Sequence, residues 1–186
     1  MEKLINSCIG AMLDCKVIDE QQRAVMEYGL DLLFSSVVSL LSFALLGVIF
    51  DVEMQTFILL MTFIPLQSFG GGYHCQTHFR CWMLMMVTYL LAVFVLMKLP
   101  LVILWCGAVL GVYPFLKWAP IENPRAPFGE EFGKRMRSVV IIVYFIAMVF
   151  AALASPCGSE CMRPILTGVI MSDVSILCAK VKQVNR

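Results

Sequence analysis

The sequence predicts an all-α membrane protein: a polytopic helical bundle of about six transmembrane helices, both termini cytoplasmic, with amphipathic helices at the N-terminus. Three observations predict it. Of 186 residues 60% are apolar, with a mean hydropathy of +0.86, more apolar surface than a soluble domain of this length needs. Charged residues make up only 15% and sit mostly between the apolar blocks. The Lys and Arg residues favour alternate loops, as the positive-inside bias requires.

Residues 1–28 read as one or two amphipathic helices on the inner membrane surface. Leu4, Ile5, Ile9, Met12 and Leu13 fall near helical spacing, and Asp14, Lys16, Asp19 and Glu20 break the run. A helical hairpin packed under the bundle fits the same pattern. Met1-Glu2-Lys3 does not open a convincing signal peptide, because Asn6, Ser7 and Asp14 interrupt the apolar stretch. The spans then read Leu30–Phe50, Met54–Phe69, Phe79–Met97, Leu101–Leu116, Val139–Ala154 and Met162–Ala179. Together they place the bundle over residues 30–179 of a single domain, 1–186. Tilt, or a start inside the interface, accommodates the shorter ones.

With the N-terminus inside, twelve of the fourteen Lys and Arg residues are cytoplasmic, and only Lys98 and Arg163 lie outside. Both termini, the Gly70–Arg80 loop and the Trp118–Arg137 loop then face the cytoplasm. The bilayer is the partner this composition demands. A net charge of +1 gives no reason to expect nucleic-acid binding.

The loop Ala119-Pro120-Ile121-Glu122-Asn123-Pro124-Arg125-Ala126-Pro127 cannot be helical, and residues ahead of its prolines favour extended geometry. It reads equally as a connector and as an edge for an extended peptide.

The segment Gln67 to Cys81 is unlike the rest. It holds both histidines, His74 and His78, with Cys75 and Cys81, and three consecutive glycines at Gly70, Gly71 and Gly72 end the second span. Glycines permit backbone conformations closed to other residues and close approach of another chain. Nucleophilic catalysis is one reading: a Cys81 thiolate attacks a carbonyl while His74 handles the proton. On one helix a spacing of seven is about 10.5 Å of rise, too far for a hydrogen bond, so His74 must lie on a loop that folds back. Thr77 would cap the third span and place Cys81 within its second turn, where the helix N-terminus and Arg80 favour a thiolate. A metal site is the second reading: His74, Cys75, His78 and Cys81 are four soft or borderline ligands suited to zinc or copper, although their spacing matches no common zinc module. Packing at an interface is the third. Residue types alone leave these open.

Gly71-Gly72-Tyr73-His74 followed by Cys81 at the cytoplasmic end of a span resembles the accessory gene regulator B family. Tyr28-Gly29-Leu30-Asp31 resembles that family's opening of the first span, and Ala119-Pro120 with Asn123-Pro124 its proline-rich cytoplasmic loop. Size and span layout agree, so the resemblance covers nearly the whole chain. It implies a membrane cysteine endopeptidase, a thiol protease of bacterial quorum sensing in the cytoplasmic membrane. Such an enzyme cuts a small membrane-bound propeptide on its C-terminal side. The scissile acyl group passes to the enzyme's cysteine as a thioester, and a Cys or Ser within the peptide then closes a thiolactone or lactone. Carried over, Cys81 is the nucleophile and His74 the general base, with no metal or cofactor required and a homodimer implied.

Asp31, Gly71, Gly72 and Arg80 are the supporting candidates, Asp31 as a third member orienting His74. The family often has Arg where this chain has Gln67, so Lys134, Arg135 and Arg137 become candidates for holding an acidic substrate tail. Gln67, Pro120, Asn123 and Pro124 are the remaining candidate substrate contacts. Ala commonly follows the histidine in the family; here Cys75 leaves a second thiol, read as a bystander.

Asp173 lies about 9 Å of rise from the cytoplasmic end of the last span, and an intramembrane acid is a functional candidate. Pairing with Ser172 or Ser175 is the structural alternative. Ser35, Ser39 and Ser42 form a small-residue stripe that helix packing explains. Cys157 and Cys161 sit in an outer loop where a disulfide is feasible, because the outside is oxidising. Two rival functions stand beside the peptidase: a metal-binding or redox membrane protein using His74, Cys75, His78 and Cys81, and a peptide transporter with Asp173 on its pathway.

Overall fold

Long apolar runs become helices, since a helix satisfies every backbone group within one segment and lipid offers no hydrogen-bond partner. The computed structural model describes residues 2–15, 17–73, 77–121, 130–154 and 158–184. Seven α-helices account for most of them, and no strand occurs among the described residues. They are α1 (Glu2–Asp14), α2 (Arg23–Ile49), α3 (Glu53–Gly70), α4 (His78–Phe94), α5 (Leu101–Trp118), α6 (Glu130–Leu153) and α7 (Ser159–Val184). Short 3₁₀ turns occur at Glu20–Gln22 and Leu96–Lys98.

Among the described residues five stretches are long and apolar enough to cross a membrane: Gly29–Ile49, Phe79–Lys98, Leu101–Trp118, Glu131–Leu153 and Ser159–Gln183. The second of the six expected spans forms as α3 but is not among the five. Its 18 residues rise about 27 Å, yet Glu53 and Gln55 at one end and Gln67 at the other dilute its apolar run.

The chain divides into two compact units, Met1–Phe43 and Ala44–Arg186, with the boundary inside α2. In the first, the expected amphipathic pattern is realised: Ile5, Ile9 and Ile18 are buried, with Met12, Leu13, Met26, Leu30 and Phe34 packed on them. The serine stripe is satisfied within α2 itself, Ser39 Oγ donating to Ser35 O at 2.9 Å and Ser42 Oγ to Val38 O at 2.8 Å.

The second unit is organised around α7, which packs on α3, α5 and α6. Leu66, Leu104, Phe115, Leu166, Val169 and Ile176 are wholly buried there. Small residues let the helices approach: a Cβ at Gly168 would lie 3.1 Å from Leu59 O, and one at Gly107 3.1 Å from Ile170 Cδ1. The outward faces are apolar, with Val102 72% and Leu110 75% exposed on α5, as a lipid-facing surface requires. Arg163, one of the two cations expected outside, has a structural role. Its Nη1 donates to Met97 O at 2.6 Å and Leu99 O at 2.7 Å, tying α7 to the turn between α4 and α5.

Candidate functional site

α3 ends at Gly70, and the chain leaves it through Gly71 at φ 68° and ψ −177°, a conformation open essentially only to glycine. A Cβ at Gly71 would also overlap the carbonyl oxygen of Ile121. Ile121 N–H donates to Gly70 O at 2.9 Å, so the start of the proline-rich loop is pinned to the end of α3. Ala119, the residue before Pro120, is extended at φ −76° and ψ 142°, as proline demands.

The next residues are held from two helices. Gln67 Nε2 on α3 donates to Ser175 Oγ on α7 at 3.0 Å, and Tyr73 N–H donates to the same oxygen at 3.1 Å. Gly72 fits between them only because it lacks a side chain: a Cβ there would overlap Gln67 Nε2. The ammonium of Lys182 lies 4.4 Å from the centroid of the Tyr73 ring, within cation–π range.

α4 begins immediately after Thr77, which is extended at φ −123° and ψ 145° and accepts from Arg80 N–H through Oγ1 at 3.4 Å. This is the expected N-cap. Cys81 N–H closes the first helical bond, to Thr77 O at 3.0 Å, so Cys81 stands where the second turn begins. It is half-buried. Because Thr77 is extended, no helix runs unbroken across the Thr77–Cys81 junction.

Deeper in the bundle, Asp173 on α7 is 4% exposed. Its neighbour is Tyr144 on α6, not either serine. Tyr144 Oη lies 3.3 Å from Asp173 Oδ2 and donates to Ala108 O at 2.6 Å. Ser172 Oγ donates instead to Gly168 O. Asp173 Oδ1 and Gln67 Oε1 are buried with no hydrogen-bond partner among the described residues.

The sequence profile of the accessory gene regulator B family matches residues 3–177. The chain belongs to the accessory gene regulator B family. Members process autoinducing peptide precursors in quorum sensing, and the apolar helices place this one in a membrane. Two curated relatives from Clostridium perfringens are similar along most of their length. Putative AgrB-like protein 2 of strain 13 / Type A is 24% identical over 91% of this chain and 85% of its own. Putative AgrB-like protein of strain SM101 / Type A is 22% identical over 92% and 85%. No solved structure matches the chain.

The structure brings some of the expected site residues of this accessory gene regulator B member together. Gln67, Gly71 and Gly72 gather around the Gly70–Tyr73 exit, and Pro120 is the chain neighbour of Ile121, which is bonded to Gly70 there. Arg80 is exposed and contributes its N–H to the cap. Lys134 and Arg135 are exposed on the first turns of α6, where Arg135 Nη2 pairs with Glu131 Oε1 at 2.6 Å. Asp31 lies in the first unit. His74, Cys75, Asn123, Pro124 and Cys157 lie outside the described residues, as does the side chain of His78. Ser175 and Ile121, which hold the exit, were not expected there, and neither was Tyr144. Ser175 and Gln67 are 108 residues apart in sequence, and no spacing signal links them; a tyrosine within the apolar run Val139–Ala154 was the one visible hint of Tyr144.

Proposed function

We propose that this accessory gene regulator B member is a membrane cysteine endopeptidase whose nucleophile is Cys81 and whose general base is His74, working on the cytoplasmic side. The observation that supports the reading is the Thr77-capped start of α4, where Cys81 N–H closes the first helical bond to Thr77 O and Cys81 begins the second turn. A helix N-terminus favours negative charge, both on sulfur and on an acyl oxygen in a tetrahedral intermediate.

In this mechanism His74 takes the thiol proton, and Cys81 Sγ adds to the scissile carbonyl of a membrane-bound propeptide. The C–N bond breaks, the leaving amine takes the proton from His74, and an acyl thioester remains on Cys81. An internal Cys or Ser of the peptide then gives its proton to the base and attacks the thioester. The ring closes, and the Cys81 sulfur leaves and is reprotonated. The thioester conserves acyl energy, so cyclisation needs no ATP. Pro120, Asn123 and Pro124 contact the peptide, and Lys134 and Arg135 attract an acidic tail.

The test uses the full chain in liposomes with a synthetic peptide carrying an amphipathic N-terminal anchor, an internal cysteine and an acidic C-terminal extension. Cys81→Ser and His74→Ala should lose both the hydroxylamine-sensitive adduct and the cyclic product by mass spectrometry, while Cys75→Ser keeps them. Cyclisation that persists in Cys81→Ser would end the proposal.

A further inference from the structure

The loop that carries the proposed base begins at Tyr73, and the hydroxyl that fixes its backbone comes from a different helix. Ser175 Oγ accepts two hydrogen bonds, from Tyr73 N–H at 3.1 Å and from Gln67 Nε2 at 3.0 Å. A hydroxyl oxygen has two lone pairs and one proton, so both acceptor positions are filled by the same short stretch of α3 and its exit. Gly72 lies within the clamp, with Gln67 Nε2 against its Cα. The opposite side of the exit is closed by Ile121 N–H on Gly70 O at 2.9 Å. The exit is therefore held at both Gly70 and Tyr73, and Tyr73 is covalently next to His74.

We infer that Ser175 is a positioning residue for the peptidase reaction: through Tyr73 N–H, with Gln67 as its second partner, it fixes the main chain that presents His74. This inference rests on the reading of His74 as the base. It also gives Gln67 a neutral role. Gln67 braces Ser175 instead of meeting a charged substrate group, which fits a side chain whose Oε1 is buried. General-base catalysis depends on heavy-atom placement within hydrogen-bond reach, so loosening Tyr73 should act on the proton-transfer step more than on peptide capture.

Two readouts on the full chain in liposomes separate the possibilities. Hydrogen–deuterium exchange of the peptide covering Tyr73 reports the clamp. The rate of iodoacetamide alkylation at Cys81 from pH 5 to 9, mapped by mass spectrometry, reports the coupling to His74. In Ser175→Ala, Tyr73 exchange should accelerate by about five- to tenfold, and the Cys81 pH profile should move to that of His74→Ala. Ser175→Thr, which keeps the hydroxyl, should restore both. Gln67→Leu removes the brace alone and should show the same two changes in weaker form, which keeps the test open if Ser175→Ala does not fold. If His74→Ala alters the Cys81 profile and Ser175→Ala leaves it at wild type, the positioning role is overturned while the peptidase reading stands. If His74→Ala itself leaves Cys81 unchanged, the peptidase reading fails and takes the positioning role with it.

Discussion

The carboxyl group of Asp173 rests directly on the backbone of Gly111, with no room between α7 and α5 for even one methyl group. Gly111→Ala must therefore push the helices apart or turn the carboxyl away from Tyr144. Overpacking of this kind costs about 1–3 kcal/mol, and thermal unfolding in detergent should show it. Adding Asp173→Ser should recover part of the loss, because the shorter side chain vacates the space. A double variant no more stable than Gly111→Ala would break the link between the two residues.

Gly71 is constrained twice, by its φ of 68° and by the Ile121 carbonyl that a Cβ would strike. Gly71→Ala should abolish propeptide processing and lower stability by about 1–3 kcal/mol. Gly29 offers the contrast: it lies inside a helix with nothing within 4 Å of a built Cβ. Gly29→Ala should be neutral, or stabilising by up to about 1 kcal/mol. Equal damage from both substitutions would show that glycine content, not the geometry of the exit, is what matters.

Thr77 caps the helix that carries Cys81. Replacing a capping threonine by alanine costs about 0.5–2 kcal/mol. Thr77→Ala should fray the first turn of α4, raise amide exchange at Arg80 and Cys81, and slow processing. Thr77→Ser should behave as wild type, because it keeps the accepting oxygen. Unchanged exchange in Thr77→Ala would remove the cap from the account of the site.

Arg163 holds two backbone carbonyls at the turn between α4 and α5. Hydrogen bonds from a charged donor contribute about 1.5–3 kcal/mol each, so Arg163→Met should lower the unfolding temperature clearly. Arg163→Lys should recover only part, since an ammonium lacks the planar fork of donors. Processing at the other end of the bundle should survive in whatever fraction remains folded.

Much of this was legible along the chain. Each of the expected spans corresponds to a helix, because length and hydropathy alone dictate helices in lipid. The capping role of Thr77 was legible too, since it depends on residues three apart. The polar ends of α3 are visible in Glu53, Gln55 and Gln67, and the helix forms over the expected second span all the same. The partner of Asp173 is not legible in the sequence, because the serines nearest to it point elsewhere: one turns back onto its own helix and the other faces α3.

By itself the sequence determined the fold class and the family and nominated the candidate site residues, because these depend on composition, periodicity and short motifs. Only the tertiary structure decided what braces them. Ser175 meets Gln67 and Tyr73, Ile121 meets Gly70, and Tyr144 meets Asp173 across gaps of 108, 102, 51 and 29 residues. The contacts of Ser175 and Asp173 exist because α7 packs against α3, α5 and α6, with close approach possible at positions such as Gly111 and Gly168. No local pattern encodes which side chains that packing brings within 3 Å or so of one another.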